Sequence, residues 1–233
     1  MSKIYCVLDA SSYIYLNKFP FIINGSEITL YKLLKRTNFV AIRHSPTILS
    51  EIRRNFAITA AEALALNNTN HTFTKYQLEH FDQTLFNNTM STSTADRGEK
   101  ENVCVSIDLF TDGKHSIVYL TDDKKAGGEK GHLQQIIGAF PYFKIWSSFD
   151  VVLFLYFTFY RNFLDYSKAI DSLKDLMSIT YGTRFKQLEE NRRNGITIGE
   201  KYAKKRDELT AEAQGKQIEY TQKLDIIRNL IST

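Results

Sequence analysis

Apolar and polar segments alternate along residues 1–160 in a pattern that is typical of an α/β fold. Short apolar runs rich in β-branched or aromatic residues predict buried strands at residues 3–9, 39–43, 117–121 and 143–146. Between these runs the apolar positions recur at helical spacing, which predicts helices between the strands. Strands separated by helices favour a parallel sheet with helices on both of its faces.

The segments between the strands divide into helices and loops. Residues 20–28 are predicted to form a loop because Pro20 and Asn24-Gly25 are breakers. The Ser/Thr/Asn tract at residues 87–94 has no core-facing pattern and predicts a surface loop. Helices are predicted at residues 11–16, 30–34, 46–56, 59–66, 75–86 and 99–110, and a glycine-interrupted segment at 124–140.

The pattern changes after Arg161. Ile170, Leu173, Leu176 and Met177 form one amphipathic stripe, whereas residues 200–231 read as a charged helix with sparse apolar positions. The tail therefore predicts a helical extension, with a hairpin as one arrangement. We divide the chain into a domain at residues 1–160 and a helical extension at residues 161–233.

Composition narrows the class of protein. The 233 residues are 43% hydrophobic with three prolines, which predicts an ordered globular chain. The net charge of +4 is too small to be a nucleic-acid signature by itself. Cys6 and Cys104 lie in apolar segments and predict core residues in a reducing compartment, without the spacing of a zinc site. The N-terminus carries no signal-peptide pattern, and the apolar run at residues 151–160 is too short for a bilayer. We expect a cytoplasmic protein with no membrane association.

Acidic residues occur where predicted strands end and on predicted helices. Asp9 closes the first strand, Asp122 and Asp123 close the third, and Glu51 and Glu99 fall on helices. The carboxyl ends of parallel strands are where ligands bind in α/β proteins. Carboxylates gathered there would repel one another without a cation, and oxygen ligands suit Mg²⁺ or Mn²⁺. The sequence therefore predicts a hard-metal site for phosphate chemistry.

The segments that carry these acids resemble the four sequence blocks of the PIN-domain nucleases. They occur in the family's order, and the resemblance covers about residues 3–150. The matching segments are Val7-Leu8-Asp9-Ala10-Ser11, Thr47-Ile48-Leu49-Ser50-Glu51, Arg97-Gly98-Glu99-Lys100-Glu101 and Leu120-Thr121-Asp122-Asp123-Lys124.

This resemblance implies a PIN-like three-layer α/β/α domain that acts as a metal-dependent endoribonuclease. The family includes the toxins of VapC-type toxin–antitoxin pairs, so a toxin or a defence effector is implied. In the family's pattern Asp9, Glu51, Glu99 and Asp123 are the catalytic ligands of Mg²⁺ or Mn²⁺, and Asp122 is an adjacent candidate ligand. Ser11 matches a hydroxyl that contacts metal-bound water or substrate, and Thr121, which opens the Thr-x-Asp block, is a further candidate substrate-binding residue.

Other residues near the blocks suit RNA binding or plain solvent exposure. Arg54 and Lys124 are candidate substrate-binding residues, and Tyr13 is a candidate for stacking on a base. Glu101 is predicted to be a solvated side chain, and Asp96 a helix cap. Arg43, Arg53, Arg97 and Lys125 are the remaining basic residues near the blocks. The five histidines share no spacing, and most are predicted at the surface or in loops.

Two other functions remain open at this point. One is a non-catalytic PIN-fold protein that binds nucleic acid or serves in assembly, although all four acidic blocks are intact. The other is an unrelated α/β domain, such as a receiver or a hydrolase, but the sequence has no paired acid beside Asp9 and no phosphate-binding Gly-Lys-Ser/Thr loop. The expected partners are RNA, an antitoxin or other protein at the C-terminal helices, and further copies of the chain.

Overall fold

The computed structural model describes two compact units, Met1–Ser148 and Phe149–Thr233. The domain boundary predicted from composition lies twelve residues later, after residue 160, and assigns the helix at residues 148–159 to the first domain. The described residues are 4–18, 20–23, 26–38, 40–72, 78–80, 83, 86, 97–113, 115–128, 131–138, 140–160 and 164–232.

The first unit is built on a four-stranded parallel sheet. Its strands are β1 (Ile4–Leu8), β4 (Val40–Arg43), β5 (Ser116–Leu120) and β6 (Phe143–Trp146), in the order β4-β1-β5-β6. All four were predicted from apolar runs, and their parallel pairing is confirmed. Leu8 pairs with Leu120, which pairs with Trp146, so three strands end side by side.

Helices flank this sheet, as the alternating pattern predicts. Pro46 opens its helix at N1, where a missing backbone N–H is harmless. Thr59 and Glu62 form a capping box at the start of the next helix. The helices of this unit are α1 (Ala10–Lys18), α2 (Leu30–Arg36), α3 (Pro46–Asn55), α4 (Ala60–Asn67), α5 (Arg97–Gly113), α6 (Lys124–Gly127) and α7 (His132–Ile136).

The prediction of a loop at residues 20–28 is wrong. Strands β2 (Phe21–Ile23) and β3 (Ser26–Ile28) pair antiparallel, with Ile22 opposite Glu27. Asn-Gly between two apolar runs is a hairpin signal rather than a simple breaker, because both residues tolerate the positive φ of a tight hairpin turn.

The core of this unit covers both sides of the central strands. Val7, Ile117 and Tyr119 are fully buried and pack in one cluster with Val103 and Leu109 of α5. The alternate strand positions are also buried: they are Cys6, Leu8, Val118 and Leu120. Burial on both sides is what a parallel sheet flanked by helices requires.

The second unit holds long helices. The helix α8 (Ser148–Phe159) leads into it, and α9 (Tyr166–Arg193) and α10 (Gly199–Ser232) form an antiparallel hairpin. Arg184 of α9 makes two hydrogen bonds to the Glu212 carboxylate of α10, at 2.7 and 3.0 Å. Tyr166 and Asp225 are bonded nearer the open end. The helices α9 and α10 agree with the helical extension predicted for this part of the chain.

Some predictions concern residues outside the described part of the chain. These include Asp96 as a cap, the polar tract at residues 87–94 and most of the helix at residues 75–86. None of the helices in the described part combines the length and the apolar composition that a bilayer crossing needs. Cys6 and Cys104 are buried free thiols, as predicted, and burial raises the pKa of Cys6 to about 12.

Candidate functional site: carboxylates at the carboxyl edge of the sheet

Asp9 stands directly after β1, at the centre of the sheet edge. Its backbone N–H donates to the carbonyl of Leu120 at 3.0 Å, which extends the β1–β5 ladder by one residue. The residue is only 7% exposed, and burial raises the pKa of its carboxyl group. The sequence therefore places a carboxylate where the sheet ends and where its charge is costly.

Two hydroxyl groups hold the Asp9 carboxylate in place. Ser11 Oγ donates to Asp9 Oδ2 at 2.6 Å, and Thr121 Oγ1 donates to the same oxygen at 3.1 Å. Each hydroxyl also accepts a backbone N–H, Ser11 from Asp122 and Thr121 from Asp123, both at 3.1 Å. Both residues predicted to contact substrate or metal-bound water thus orient the first carboxylate in this structure.

Glu51 reaches the same region from α3. Its Oε1 atom lies against the backbone of Gly98, so that a Cβ atom on Gly98 would stand 2.6 Å from it. Glu99 follows Gly98 in the first turn of α5, and its electrostatic repulsion contributes to the raised pKa of Glu51. The predicted blocks around Glu51 and Glu99 are therefore neighbours in space.

Asn102 ties together the three elements that carry these acids. It lies on α5, fully buried, and its Nδ2 donates to the carbonyl of Leu8 at 3.0 Å. Its Oδ1 accepts the backbone N–H of Ser45, the N-cap of α3, at 2.8 Å. One amide thus links the end of β1, the start of α3 and the first turns of α5. Sequence analysis did not single out Asn102, because its two partners are distant along the chain.

Glu99 has a histidine partner that the sequence also did not reveal. His132, the first residue of α7, makes a short hydrogen bond to Glu99 Oε2, and both side chains are 18% exposed. Burial has the largest effect on the Glu99 carboxyl group and raises its pKa, and the charges of Asp9 and Asp123 raise this pKa further. The contact with His132 lowers the pKa but does not offset the rise.

His44, in the connection between β4 and α3, is buried, unlike the surface histidines that the sequence analysis expects to be in the majority. Its ring is fully buried, and its two nitrogens lie 2.8 and 2.9 Å from the carbonyl oxygens of Ser45 and Leu66.

The neighbouring acids Asp122 and Asp123 have different surroundings. Asp122 accepts hydrogen bonds from Ser12 Oγ at 2.6 Å, from Ser148 Oγ at 2.5 Å and from Ser148 N at 3.0 Å. Asp123 is exposed, and its Oδ1 caps α6 by accepting the N–H of Lys125 at 2.7 Å. Asp122 is therefore occupied in joining α1 to the start of α8, whereas the second Asp123 oxygen has no hydrogen bond among the described residues.

The carboxylates together create an electrostatic conflict. The pKa of Glu51 is raised to about 7, mainly by burial and then by the charges of Asp9 and Glu99. Arg54, exposed in the last turn of α3, opposes this rise. Asp9, Glu51 and Glu99, three acids from separate elements, thus share one electrostatic environment, and each is harder to ionise there than in water.

The basic residues predicted near the blocks differ in their exposure and in their contacts. Arg53, Arg54, Lys124 and Lys125 are exposed, so they are accessible to an anionic ligand. Arg97 donates to Glu101 Oε1 at 2.8 Å. Arg43 lies 5.6 Å over the ring of Tyr5.

Two predictions about individual residues near the site are wrong. Tyr13 is 2% exposed and packs edge-on against the rings of Tyr31 and Phe56, so it is a core residue rather than a base-stacking platform. Glu101 is 3% exposed and pairs with Arg97 instead of facing solvent. In both cases the local sequence does not show which neighbouring elements cover that side of the helix.

Within the described residues, no three or more side chains of His, Cys, Asp and Glu stand close enough together to hold a metal ion. The carboxylates lie within electrostatic reach of one another without forming a closed set of ligands. Comparisons with models of protein families, with curated protein sequences and with solved structures found no match to this chain.

Proposed function

We propose that the chain is a PIN-type endoribonuclease that hydrolyses phosphodiester bonds of RNA with the help of Mg²⁺ or Mn²⁺. The observation that supports this most is the position of three carboxylates. Asp9, Glu51 and Glu99 come from three separate elements to the carboxyl edge of a parallel sheet, where burial raises the pKa of each and the charge of Asp9 further raises the pKa values of Glu51 and Glu99. The choice of the PIN family and of RNA as the substrate rests on the resemblance of the four sequence blocks.

The type of donor in this region fits a hard divalent cation. All the acids concerned offer carboxylate oxygens, which Mg²⁺ and Mn²⁺ prefer. Asp9, Glu51, Glu99 and Asp123 are the residues that would hold the ion, and bound metal would polarise the phosphate and activate water. Because the described side chains do not form a group of three ligands, the proposal relies on donor chemistry and electrostatics.

The chain's own residues have distinct tasks in this proposal. Ser11 and Thr121 fix the rotamer of Asp9 through their hydrogen bonds to Oδ2. Asn102 keeps α3 and α5 in register with β1, which holds Glu51 and Glu99 near Asp9. Arg54 and Lys124 are exposed cations next to these acids in the sequence and suit the phosphates of a bound strand.

Asp122 is not a metal ligand in this proposal. Three donors already occupy its two oxygens, and breaking those bonds would disconnect Ser12 and Ser148 from the edge of the sheet. Asp123 is the acid of this pair that we assign to the site, because it is exposed and its charge acts on Glu99.

Cleavage of a fluorescently labelled single-stranded RNA by the purified chain tests the proposal. Activity should disappear in excess EDTA and return when Mn²⁺ or Mg²⁺ is added in excess of the chelator. Ca²⁺ should support little turnover. Cleavage that survives exhaustive chelation would point to a different chemistry, and no cleavage with any divalent ion would favour a non-catalytic PIN-fold protein.

A further inference from the structure

The second unit concentrates positive charge at the closed end of its helical hairpin. Residues 184–206, which we call the hairpin tip, hold eight Lys or Arg against three Asp or Glu. The two flanking segments have an acidic excess, with two basic against three acidic residues at 165–183 and three against five at 207–232. The charge is therefore segregated along the hairpin rather than spread over a solvated surface.

Most of the cations at the hairpin tip have no partner of opposite charge. Arg192 pairs with Glu189. In contrast, the other cations near the turn are exposed and form no ion pair within the described residues; they are Arg193, Lys201, Lys204, Lys205 and Arg206. Lysines on the rest of the hairpin behave differently, since Lys168, Lys174 and Lys223 each pair with a nearby carboxylate.

Helix stability does not explain four of these cations. Arg193 lies in the last turn of α9, where a basic side chain is favourable, but the other four lie within the first eight residues of α10, towards the positive end of the helix macrodipole, where it is not. Lys201, Lys204 and Lys205 share one face of the helix and span about 6 Å along its axis, since each residue adds about 1.5 Å. Glu200 and Glu208 lie at helical spacing from these lysines, so three cations outnumber two carboxylates on this face, and the net positive charge together with the helix dipole favours an anion.

The turn that carries the charges has a defined conformation. Gly195 and Gly199 adopt φ values of 70° and 56°, which other residues rarely adopt. The backbone N–H groups of Ile196 and Thr197 both donate to the carbonyl of Asn191. Thr197 is buried, whereas Ile196 and Ile198 are 65% and 63% exposed. The cations are thus presented from a fixed scaffold, so that binding needs little ordering of backbone.

We propose that the hairpin tip binds the phosphate backbone of a single-stranded RNA. The proposal rests on the proposed function for the choice of RNA, but the charge pattern calls for a polyanion independently. Two exposed isoleucines offer too small an apolar area for a stable protein interface by themselves, whereas five unpaired cations match several consecutive phosphates. Arg193, Lys201, Lys204 and Lys205 are the contacts that we assign.

The test compares two triple variants of the full chain. K201Q/K204Q/K205Q removes three unpaired charges at the hairpin tip, and K168Q/K174Q/K223Q removes three paired charges elsewhere on the same hairpin. Both variants change the net charge equally. Binding to a fluorescein-labelled oligouridylate is measured by anisotropy in EDTA, which separates binding from metal-dependent cleavage, over a range of salt concentrations.

The tip variant should bind at least about 10-fold more weakly than wild type in low salt, and its slope of log affinity against log salt should be smaller by about 2. The control variant should stay within about 2-fold of wild type. Equal losses in both variants would show a general charge effect, and no loss in either would remove the tip from RNA binding; both results overturn the proposal. Cleavage assays in Mn²⁺ report on the proposed function separately, because tip-dependent binding and catalysis are measured in different conditions.

A variant of the two exposed isoleucines distinguishes binding of RNA from binding of a membrane surface. I196S/I198S should leave the affinity for the oligouridylate within about 2-fold of wild type. Binding to vesicles of phosphatidylserine and phosphatidylcholine that is lost in I196S/I198S, with RNA binding unaffected by K201Q/K204Q/K205Q, would identify the tip as a membrane-docking surface and overturn the proposal.

Discussion

Glu51 Oε1 occupies the space beside Gly98 in which a Cβ atom would lie, at a separation of 2.6 Å. No other residue at position 98 would leave this oxygen in place. The close approach brings the Glu51 carboxylate of α3 against the first turn of α5, at the residue that precedes Glu99. The glycine in the Arg97-Gly98-Glu99 segment therefore has a definite task, which is to admit the acid of another element.

We expect Gly98→Ala to displace the Glu51 carboxylate without unfolding the chain. The clashing atom is the end of a flexible side chain, and alanine is favoured over glycine within a helix by about 1 kcal/mol, which offsets the tighter contact with Ile48. RNA cleavage should fall at least about 10-fold, while the melting temperature stays within a few degrees. Gly182→Ala is the matched control, because a Cβ there meets nothing within 4 Å. Undiminished RNA cleavage by Gly98→Ala would show that the position of Glu51 is unimportant for the proposed activity.

Replacing Asn102 with leucine should destabilise the fold as well as the site. The change leaves the Ser45 N–H and the Leu8 carbonyl without their side-chain partner in a buried region. Each such loss costs about 1–3 kcal/mol, so we expect a decrease of about 2–6 kcal/mol in the free energy of unfolding, measured by urea denaturation. Ser106→Ala on the same helix should cost less than about 1 kcal/mol, since its hydroxyl bonds only to the carbonyl of Asn102. Similar effects of the two changes would argue against a linking role for Asn102.

Mutation of Asp122 should reduce the stability of the fold, whereas mutation of the adjacent Asp123 should reduce RNA cleavage. Asp122→Ala removes the acceptor of three hydrogen bonds from Ser12 and Ser148 and should lower the melting temperature by several degrees. Asp123→Asn keeps an N-cap for α6 while it removes the charge, so it should preserve stability and reduce cleavage. Thermal unfolding and RNA cleavage of both variants check this, and wild-type cleavage by Asp123→Asn would remove Asp123 from the proposed site.

The raised pKa of Glu51 predicts how stability depends on pH without metal. In the folded chain the pKa of Glu51 is about 7, compared with the ordinary value of 4.5. Protonation of Glu51 therefore stabilises the folded chain fully below pH 4.5, and this stabilisation is lost as the pH rises through about 7. In EDTA, wild type should lose on the order of 2 kcal/mol relative to Glu51→Gln between pH 5 and pH 8. The lowered pKa of His44 has the opposite effect on stability: neutral His44 stabilises the fold above pH 6.5, and this stabilisation is lost at lower pH. Both proteins contain His44, so this effect cancels when wild type is compared with Glu51→Gln. Parallel stability curves for the two proteins would contradict the electrostatic conflict.

The elements of the sheet could be predicted because their signals are local. Each strand is a compact apolar run, and Asp9 is placed at the sheet edge simply because it follows such a run. The β2–β3 hairpin is also predictable, because Asn-Gly between two apolar runs is a local hairpin signal, but Asn24-Gly25 was interpreted only as a breaker. The error there lies in the interpretation and not in the information that the sequence holds.

The links within the candidate site could not be predicted, because they join residues far apart in sequence. Asn102 meets Leu8 and Ser45, and His132 meets Glu99, without any local pattern that marks these pairs. The different surroundings of Asp122 and Asp123 are also decided at a distance, by the serines that reach only one of them. Tyr13 shows the same limit, since its burial depends on rings from α2 and from the end of α3.

The most direct test of the central claim is RNA cleavage by Asp9→Asn in Mn²⁺, compared with wild type at equal concentrations. The change keeps the shape of the side chain and removes a buried charge, so thermal stability in EDTA should be maintained or raised, since repulsion with Glu51 and Glu99 is relieved. If the variant fails to fold because it disturbs the bonds from Ser11 and Thr121, Glu99→Gln replaces it in the same assay. The account predicts that cleavage falls by at least about 100-fold in a folded variant, because a charged metal ligand is lost. Cleavage near the wild-type rate by folded Asp9→Asn would contradict a metal-dependent nuclease site at this edge of the sheet.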